Sequence, residues 1–138
     1  MNVLTTVYLA VSWMLVGLIW VIQLVHYPSF RFIAKDQFLA FHRHHTFQIT
    51  FIVMPLMLSE LGLAIYFFWG NELGSIALWQ LIVVVVIWAS TFLIQIPMHN
   101  RLGEGKEEQT IRQLVNSNWL RTVLWTGKAL HLSWYLMD

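Results

Sequence analysis

The 138-residue sequence contains no cysteine, and only 11% of its residues are charged. Without cysteine the chain can form neither a disulfide nor a thiolate metal site. With so few charges and 58% hydrophobic residues, it lacks the polar surface of a water-soluble domain. A formal net charge of +1 supplies no basic field, so we expect no nucleic-acid partner.

Long apolar runs dominate the sequence instead. Four of them cover residues 4–25, 47–69, 76–96 and 119–137, and each approaches or exceeds the roughly 20 residues that a helix needs to cross a bilayer. We therefore predict an all-α, four-transmembrane-helix bundle that forms a single transmembrane domain over residues 1–138. The first run has no Lys or Arg before it, so it is expected to remain as an anchor rather than act as a cleaved signal peptide.

Basic residues are concentrated in two of the three linkers. Seven of the eight lie between the first and second runs, or between and just inside the third and fourth: Arg31, Lys35, Arg43, Arg101, Lys106, Arg112 and Arg121. The remaining connection, residues 70–75, has Glu72 and neither Lys nor Arg. By the positive-inside rule, both long linkers are predicted to be cytoplasmic and both termini non-cytoplasmic, in a membrane expected to be the bacterial inner membrane.

The two halves of the chain resemble each other. An Ile-Gln pair, a histidine and a proline follow both the first and the third run, as IQLVHYP at 22–28 and IQIPMH at 94–99. A shift of 73 positions places His26 on His99, and it also matches two sets with the spacing of one helix face, namely Phe38, Phe41, His42 and His45 with Ile111, Leu114, Val115 and Asn118. This similarity predicts two parallel repeats, each with an amphipathic cytoplasmic linker helix. Pro28 is expected to end the first helix.

Five of the six histidines meet at one membrane face in this fold. In the stretch FHRHHTFQ at 41–48, helical spacing puts His42 and His45 on one face and turns His44 away. The predicted metal ligands are His26, His42, His45 and His99. Neutral imidazoles suit a transition metal, with iron or copper favoured, and a haem b between facing helices is the alternative cofactor. The neighbouring polar side chains expected to orient the rings are Gln23, Gln95, Asn118 and Arg121.

A second polar group is predicted deeper in the bundle. Glu60, Lys128 and His131 lie about 9 to 13 residues into the second and fourth runs, which places them at similar depth. Because an isolated charge near the bilayer centre costs at least about 2.5 kcal/mol, these residues should face inward and pair. Pro55 is expected to kink the second helix and open a cavity between the two polar levels. A structural pair that fixes helix register is the simpler interpretation of this group.

Several stretches carry a resemblance to known proteins: HYPSF at 26–30, the FHRHH linker, QIPMHNRL at 95–102 and NWLRTVLW at 118–125. They resemble a group of small bacterial four-helix membrane proteins of uncharacterised activity, which implies the fold and no activity. In helix number, size and the polar exit from the third helix, the chain is also distantly similar to anthrone-oxygenase-like membrane proteins, which are linked to oxidation of polycyclic phenolics. That resemblance implies oxidation chemistry but maps no catalytic residue.

The sequence thus predicts an integral membrane protein with a histidine-rich metal or haem site at its cytoplasmic end. Redox or oxygenase-type chemistry on a small apolar or aromatic substrate is the leading function, and a homo-oligomer is compatible with it. Two other classes stay open. One is a non-catalytic assembly factor or complex subunit whose histidines only occupy the membrane–water boundary. The other is a small transporter or proton pathway that uses Glu60, Lys128 and His131.

Overall fold

The protein folds into four long helices in a computed structural model that describes residues 2–137. They are α1 (Val3–Phe32), α2 (Phe38–Gly70), α3 (Gly74–Leu102) and α4 (Glu108–Met137), and the described part of the chain has no strand. The predicted all-α, four-helix fold is confirmed. By length and composition, α1, α2 and α3 are each capable of crossing a membrane.

Helix α4 is less hydrophobic on average because its first turns carry exposed polar residues and because its later turns direct polar residues into the bundle. Its buried positions include Asn118, Arg121, Thr122 and Lys128. Its outward face beyond residue 118 is apolar or aromatic, with exposed Trp119, Leu120, Val123, Leu130, Trp134, Tyr135 and Met137. This is the reverse of a water-soluble amphipathic helix, and it suits a helix whose outer face contacts lipid.

The four helices alternate around the bundle. Helices α1 and α3 each pack against both α2 and α4, so α1 lies across from α3 and α2 lies across from α4. One apolar core cluster fills the end near the two long linkers, and a second fills the end near the termini. Side chains from opposite helices therefore meet on the bundle axis.

The amphipathic linker helices predicted before the second and fourth spans are not separate elements. Residues 38–46 are the first turns of α2, and residues 108–118 are the first turns of α4. The predicted spans were consequently too short at these ends. No proline or glycine lies at the predicted junctions, so the backbone hydrogen bonds of each helix continue without a break.

Pro28 does not end the first helix, and that prediction was wrong. The chain passes through a π-helical turn at Ile22–His26 and continues helically to Phe32. The third helix has the same feature, a π-helical turn at Thr91–Gln95 followed by Pro97. A wider turn accommodates a proline ring that would otherwise clash with the carbonyl four residues earlier.

The two π-helical turns occupy equivalent positions in the two halves of the chain. From Ile22 to Thr91, and from Pro28 to Pro97, the separation is 69 positions rather than 73. The difference of four residues is about one helical turn, which keeps His26 and His99 on corresponding faces. The face predicted in both halves is inward, since Phe38, His42, His45, Ile111, Leu114 and Asn118 are all buried.

Candidate functional site

The four predicted ligands come together where the two long linkers meet the bundle. His26 extends from the π-helical turn of α1, His42 and His45 from the first turns of α2, and His99 from the end of α3. His42 and His45 are buried, with 4% and 6% of their surface exposed. His44 is exposed. The helical spacing therefore predicted correctly which of the three neighbouring histidines face inward.

The four imidazole rings pair two by two. His26 Nε2 contacts His45 Nδ1, and His42 Nε2 lies 3.0 Å from His99 Nδ1. The two pairs adjoin, because the ring centroids of His45 and His99 are 6.0 Å apart. His45 Nε2 is buried and has no hydrogen-bond partner. An unpartnered buried imidazole nitrogen is unusual enough to require an explanation, and a missing ligand is one.

Phe30 holds the rings together from one side. Its centroid lies 5.7 Å from that of His26, 5.3 Å from that of His45 and 5.9 Å from that of His42. It also lies 6.4 Å from the ring of His99. Phe30 was not predicted from the sequence, although its i, i+4 relation to His26 places both side chains on one helix face.

The rings do not form a ready-made metal centre. Within residues 2–137, no group of three or more His, Asp or Glu side chains is arranged so that it could hold a metal ion. The reason is the pairing described above, in which one nitrogen of each ring is directed at a nitrogen of the neighbouring ring. Tetrahedral nitrogen ligands lie about 2.1 Å from a metal and are directed at it. The His42 and His99 nitrogens are instead directed at each other, 3.0 Å apart, so these rings would have to turn before they could share a metal.

Tyr27 connects the histidines to the polar interior. Its hydroxyl lies 3.0 Å from His99 Nε2 and accepts a 3.4 Å hydrogen bond from the Arg121 guanidinium. Arg121 also donates to Asn118 Oδ1, and the Asn118 amide donates to Gln23 Oε1 at 2.9 Å. Arg121 thus lies near the rings as predicted, but it acts through Tyr27, which the sequence analysis missed.

The three predicted amides lie beside the site rather than against the rings. Gln23 donates to the backbone carbonyl of Val115 at 3.1 Å and accepts from Asn118. Gln95 accepts from Ser90 and donates to Ser117. None of these hydrogen bonds reaches an imidazole, so the amides join the helices to one another below the histidines.

The deeper group is an ion pair between opposite helices. Lys128 Nζ lies 3.0 Å from Glu60 Oε1, and both side chains are completely buried. Glu60 Oε2 accepts a 2.9 Å hydrogen bond from Trp125 Nε1. Lys128 donates to Ser12 Oγ at 2.8 Å and lies 4.4 Å from the centroid of the Tyr8 ring. The predicted inward pairing of Glu60 with Lys128 is present.

His131 does not join that ion pair. It is only half-buried, and its Nδ1 is enclosed without a hydrogen-bond partner among residues 2–137. His131 lies one helical turn from Lys128 along α4. Counting residues along each helix predicted its depth in the bundle but not the direction of its side chain. Its predicted place in the deep polar group is not what the structure has.

Two spaces adjoin the polar residues. A cavity of about 240 Å³ lies between the histidines and the Glu60 level, and a cleft of about 520 Å³ separates the first turns of α2 from the end of α3. Both are bordered by Ile49, Thr50, Ile96 and His99. Helix α2 is continuous through Pro55, and the residues before and after this proline, Val53, Met54 and Met57, form one wall of the cavity.

Comparison with known proteins adds no functional information. No protein-family model matches the chain, and no curated protein or solved structure matches it either. The resemblances drawn from the sequence therefore stay predictions, and the site has to be interpreted from its own geometry.

Proposed function

We propose that this protein is an integral membrane protein of four spanning helices that binds a transition metal through His26, His42, His45 and His99. Iron or copper is favoured, and the chemistry is of redox or oxygenase type on a small apolar or aromatic substrate. The observation that carries the proposal is the buried, unpartnered Nε2 of His45 beside three other imidazoles. Neutral imidazole nitrogens are good ligands for these metals.

The arrangement favours a single ion over haem b. Both Phe30 and His45 are in ring contact with His26 and with His99, so they occupy the space between the two histidines that a haem would need. A haem held by His26 and His99 would have to displace both side chains. A single ion requires only that the two histidine pairs rotate toward a common point.

Tyr27, Phe30 and the adjoining cavity would each have a separate role around the metal. Tyr27 fixes the orientation of the His99 ring through its hydroxyl contact, and such contacts to the remote ring nitrogen raise ligand affinity. Phe30 excludes water from one side of the rings. A bound iron or copper would supply electron-transfer or oxygen chemistry, and the adjoining cavity would hold the substrate next to His99.

The membrane orientation is part of the proposal. With Arg121 buried in the bundle, the other basic residues at the linker end are Arg31, Lys35, Arg43, Arg101, Lys106 and Arg112. They support cytoplasmic linkers and non-cytoplasmic termini, and so a histidine site at the cytoplasmic end of the bundle.

Elemental analysis and an absorption spectrum of gently purified protein test the metal. We expect close to one iron or copper per chain, most of which is lost in His45→Ala. His44→Ala is the matched control, because it removes the same side chain from the neighbouring, exposed position and should keep the metal. Protein without stoichiometric metal, before and after incubation with Fe²⁺ or Cu²⁺, would contradict the proposal, and so would equal loss in both variants.

A second candidate, a proton pathway, is favoured by a row of polar side chains between the histidines and the ion pair, in which one link is a cation–π contact and not a hydrogen bond. From His99 they run through Tyr27 and Arg121 to Trp125, whose ring lies 5.9 Å from the Arg121 guanidinium carbon. From Trp125 they continue to Glu60 and Lys128. Proton flux into liposomes that contain the protein tests this function, and it should fall in Glu60→Gln and not in the exposed control Glu72→Gln.

A further inference from the structure

Arg121 carries a buried positive charge without a carboxylate partner. Only 5% of the residue is exposed. Its guanidinium donates to three neutral oxygens, those of Asn118, Thr91 and Tyr27. Among residues 2–137 the carboxylates in ion pairs are Glu60 and Glu108, and these pair with Lys128 and Lys106. An uncompensated charge in a low-dielectric interior costs several kcal/mol, so an anion beside Arg121 would stabilise the folded bundle.

Arg121 is one of the residues that line the 240 Å³ cavity. The polar part of the lining is formed by Arg121, Tyr27 and His99, with Thr91 and Gln95 beside them. The rest is apolar and comes mainly from α1 and α2, including Leu15, Ile19, Val53 and Met57. The cavity therefore has one cationic, hydrogen-bonding end and an apolar body.

The cavity communicates with the outside between α2 and α3. Helix α2 packs closely along Ala77–Ser90 of α3 but diverges from Ile96–Leu102. Thr50 and Ile96 border the cavity at this divergence, and both are exposed. Because Phe47, Phe51 and Leu93 nearby are exposed and apolar, the opening faces the hydrophobic surroundings of the bundle as well as the cleft.

We infer that this cavity binds a lipophilic anion, whose anionic oxygen group contacts Arg121 and whose apolar body lies against α1 and α2. A cavity of about 150 Å³ holds benzene, so the larger space here suits about two fused rings or an alkyl chain of about ten carbons. Charge-assisted hydrogen bonds from a guanidinium to an oxyanion are among the strongest that a protein forms. The inference rests on Arg121 and the cavity, and it does not require the histidines to bind a metal.

Two pairs of probes test the charge and the shape of the ligand. Calorimetry in neutral detergent micelles would compare 2-naphthoate with 2-naphthylmethanol, and decanoate with decanol. We expect at least one acid to bind about tenfold or more tightly than its alcohol, as hydrogen bonds to charged groups imply. Tighter binding of 2-naphthoate would indicate a ligand with an aromatic body, and tighter binding of decanoate would indicate one with an aliphatic body. The titrations are repeated with a metal chelator, and binding of the acid that persists with the chelator does not depend on a metal at the histidines.

Three variants locate the binding. Arg121→Gln should abolish the preference for the acid, whereas Arg112→Gln, with the same charge change on the exposed side of α4, should keep it. Met54→Trp fills the cavity without changing Arg121, so it should remove binding even if Arg121→Gln fails to fold. Equal binding of acids and alcohols, unchanged binding in Met54→Trp, or no binding of either acid would overturn the inference.

Discussion

The buried ion pair between Glu60 and Lys128 gives the sharpest test of how the bundle is held together. The perturbations are Glu60→Gln, Lys128→Met and the double variant. Both charged side chains are fully buried, and their charged atoms are 3.0 Å apart. Each single change leaves the other charge in the interior without its partner, whereas the double variant leaves neither.

The structure sets the expected magnitudes. Removing one member of a buried pair costs about 3–5 kcal/mol. Glu60→Gln should lie near the lower limit, because Lys128 keeps Ser12 and the face of the Tyr8 ring, and a cation–π contact contributes about 0.5–2 kcal/mol. Lys128→Met should cost more, because Glu60 keeps only Trp125.

The double variant decides between coupling and independence. With single losses of about 3 and 4 kcal/mol, independent sites would give a double loss of about 7 kcal/mol. Coupled sites should give no more than about 4, because no charge is left unpaired, which is an interaction energy of at least about 3 kcal/mol, at the upper end of those measured for residues in contact.

Unfolding by a denaturing detergent, followed by circular dichroism in mixed micelles, supplies the free energies. Glu72→Gln combined with Lys128→Met is the matched control, because Glu72 is exposed and hydrogen-bonds Asn2 and Tyr66 instead. That combination should be additive within about 0.5 kcal/mol. An additive cycle for Glu60 and Lys128 would refute the reasoning that the buried pair acts as a unit.

Three other predictions concern the histidines, Tyr27 and the membrane orientation. Alanine at His26 or His99 should lower metal content as His45→Ala does, measured by elemental analysis; full retention would remove that residue from the ligand set. Tyr27→Phe should weaken metal binding about 10–100-fold through loss of ring orientation, with Tyr66→Phe at the opposite end as control; equal affinities would assign Tyr27 a packing role. Accessibility labels at the termini should react only from the non-cytoplasmic side and labels near Gly103 only from the cytoplasm; the reverse would invert the proposed orientation.

Local sequence patterns were sufficient to predict that the chain forms four helices and which of the neighbouring histidines face inward, although not where each helix begins and ends. Apolar runs long enough to cross a bilayer predicted four helices, since the backbone in hydrocarbon must satisfy its own hydrogen bonds. The 3.6-residue period distinguished His42 and His45 from His44 correctly. The high cost of an isolated charge predicted that Glu60 and Lys128 would meet. Each of these inferences depends on a property of a single helix or on the cost of leaving a charge unpaired in the membrane.

Tertiary structure alone decided how those faces oppose one another. A π-helical turn carries α1 past Pro28, so Phe30 reaches the histidines instead of lying in a loop. Arg121, counted from the sequence both as a linker charge and as a residue that orients the rings, lines the cavity, and His131 is not part of the ion pair. Periodicity specifies the direction of a side chain around its own helix axis. The rotation of each helix relative to its neighbours depends on packing between residues far apart in the chain, which no local pattern encodes.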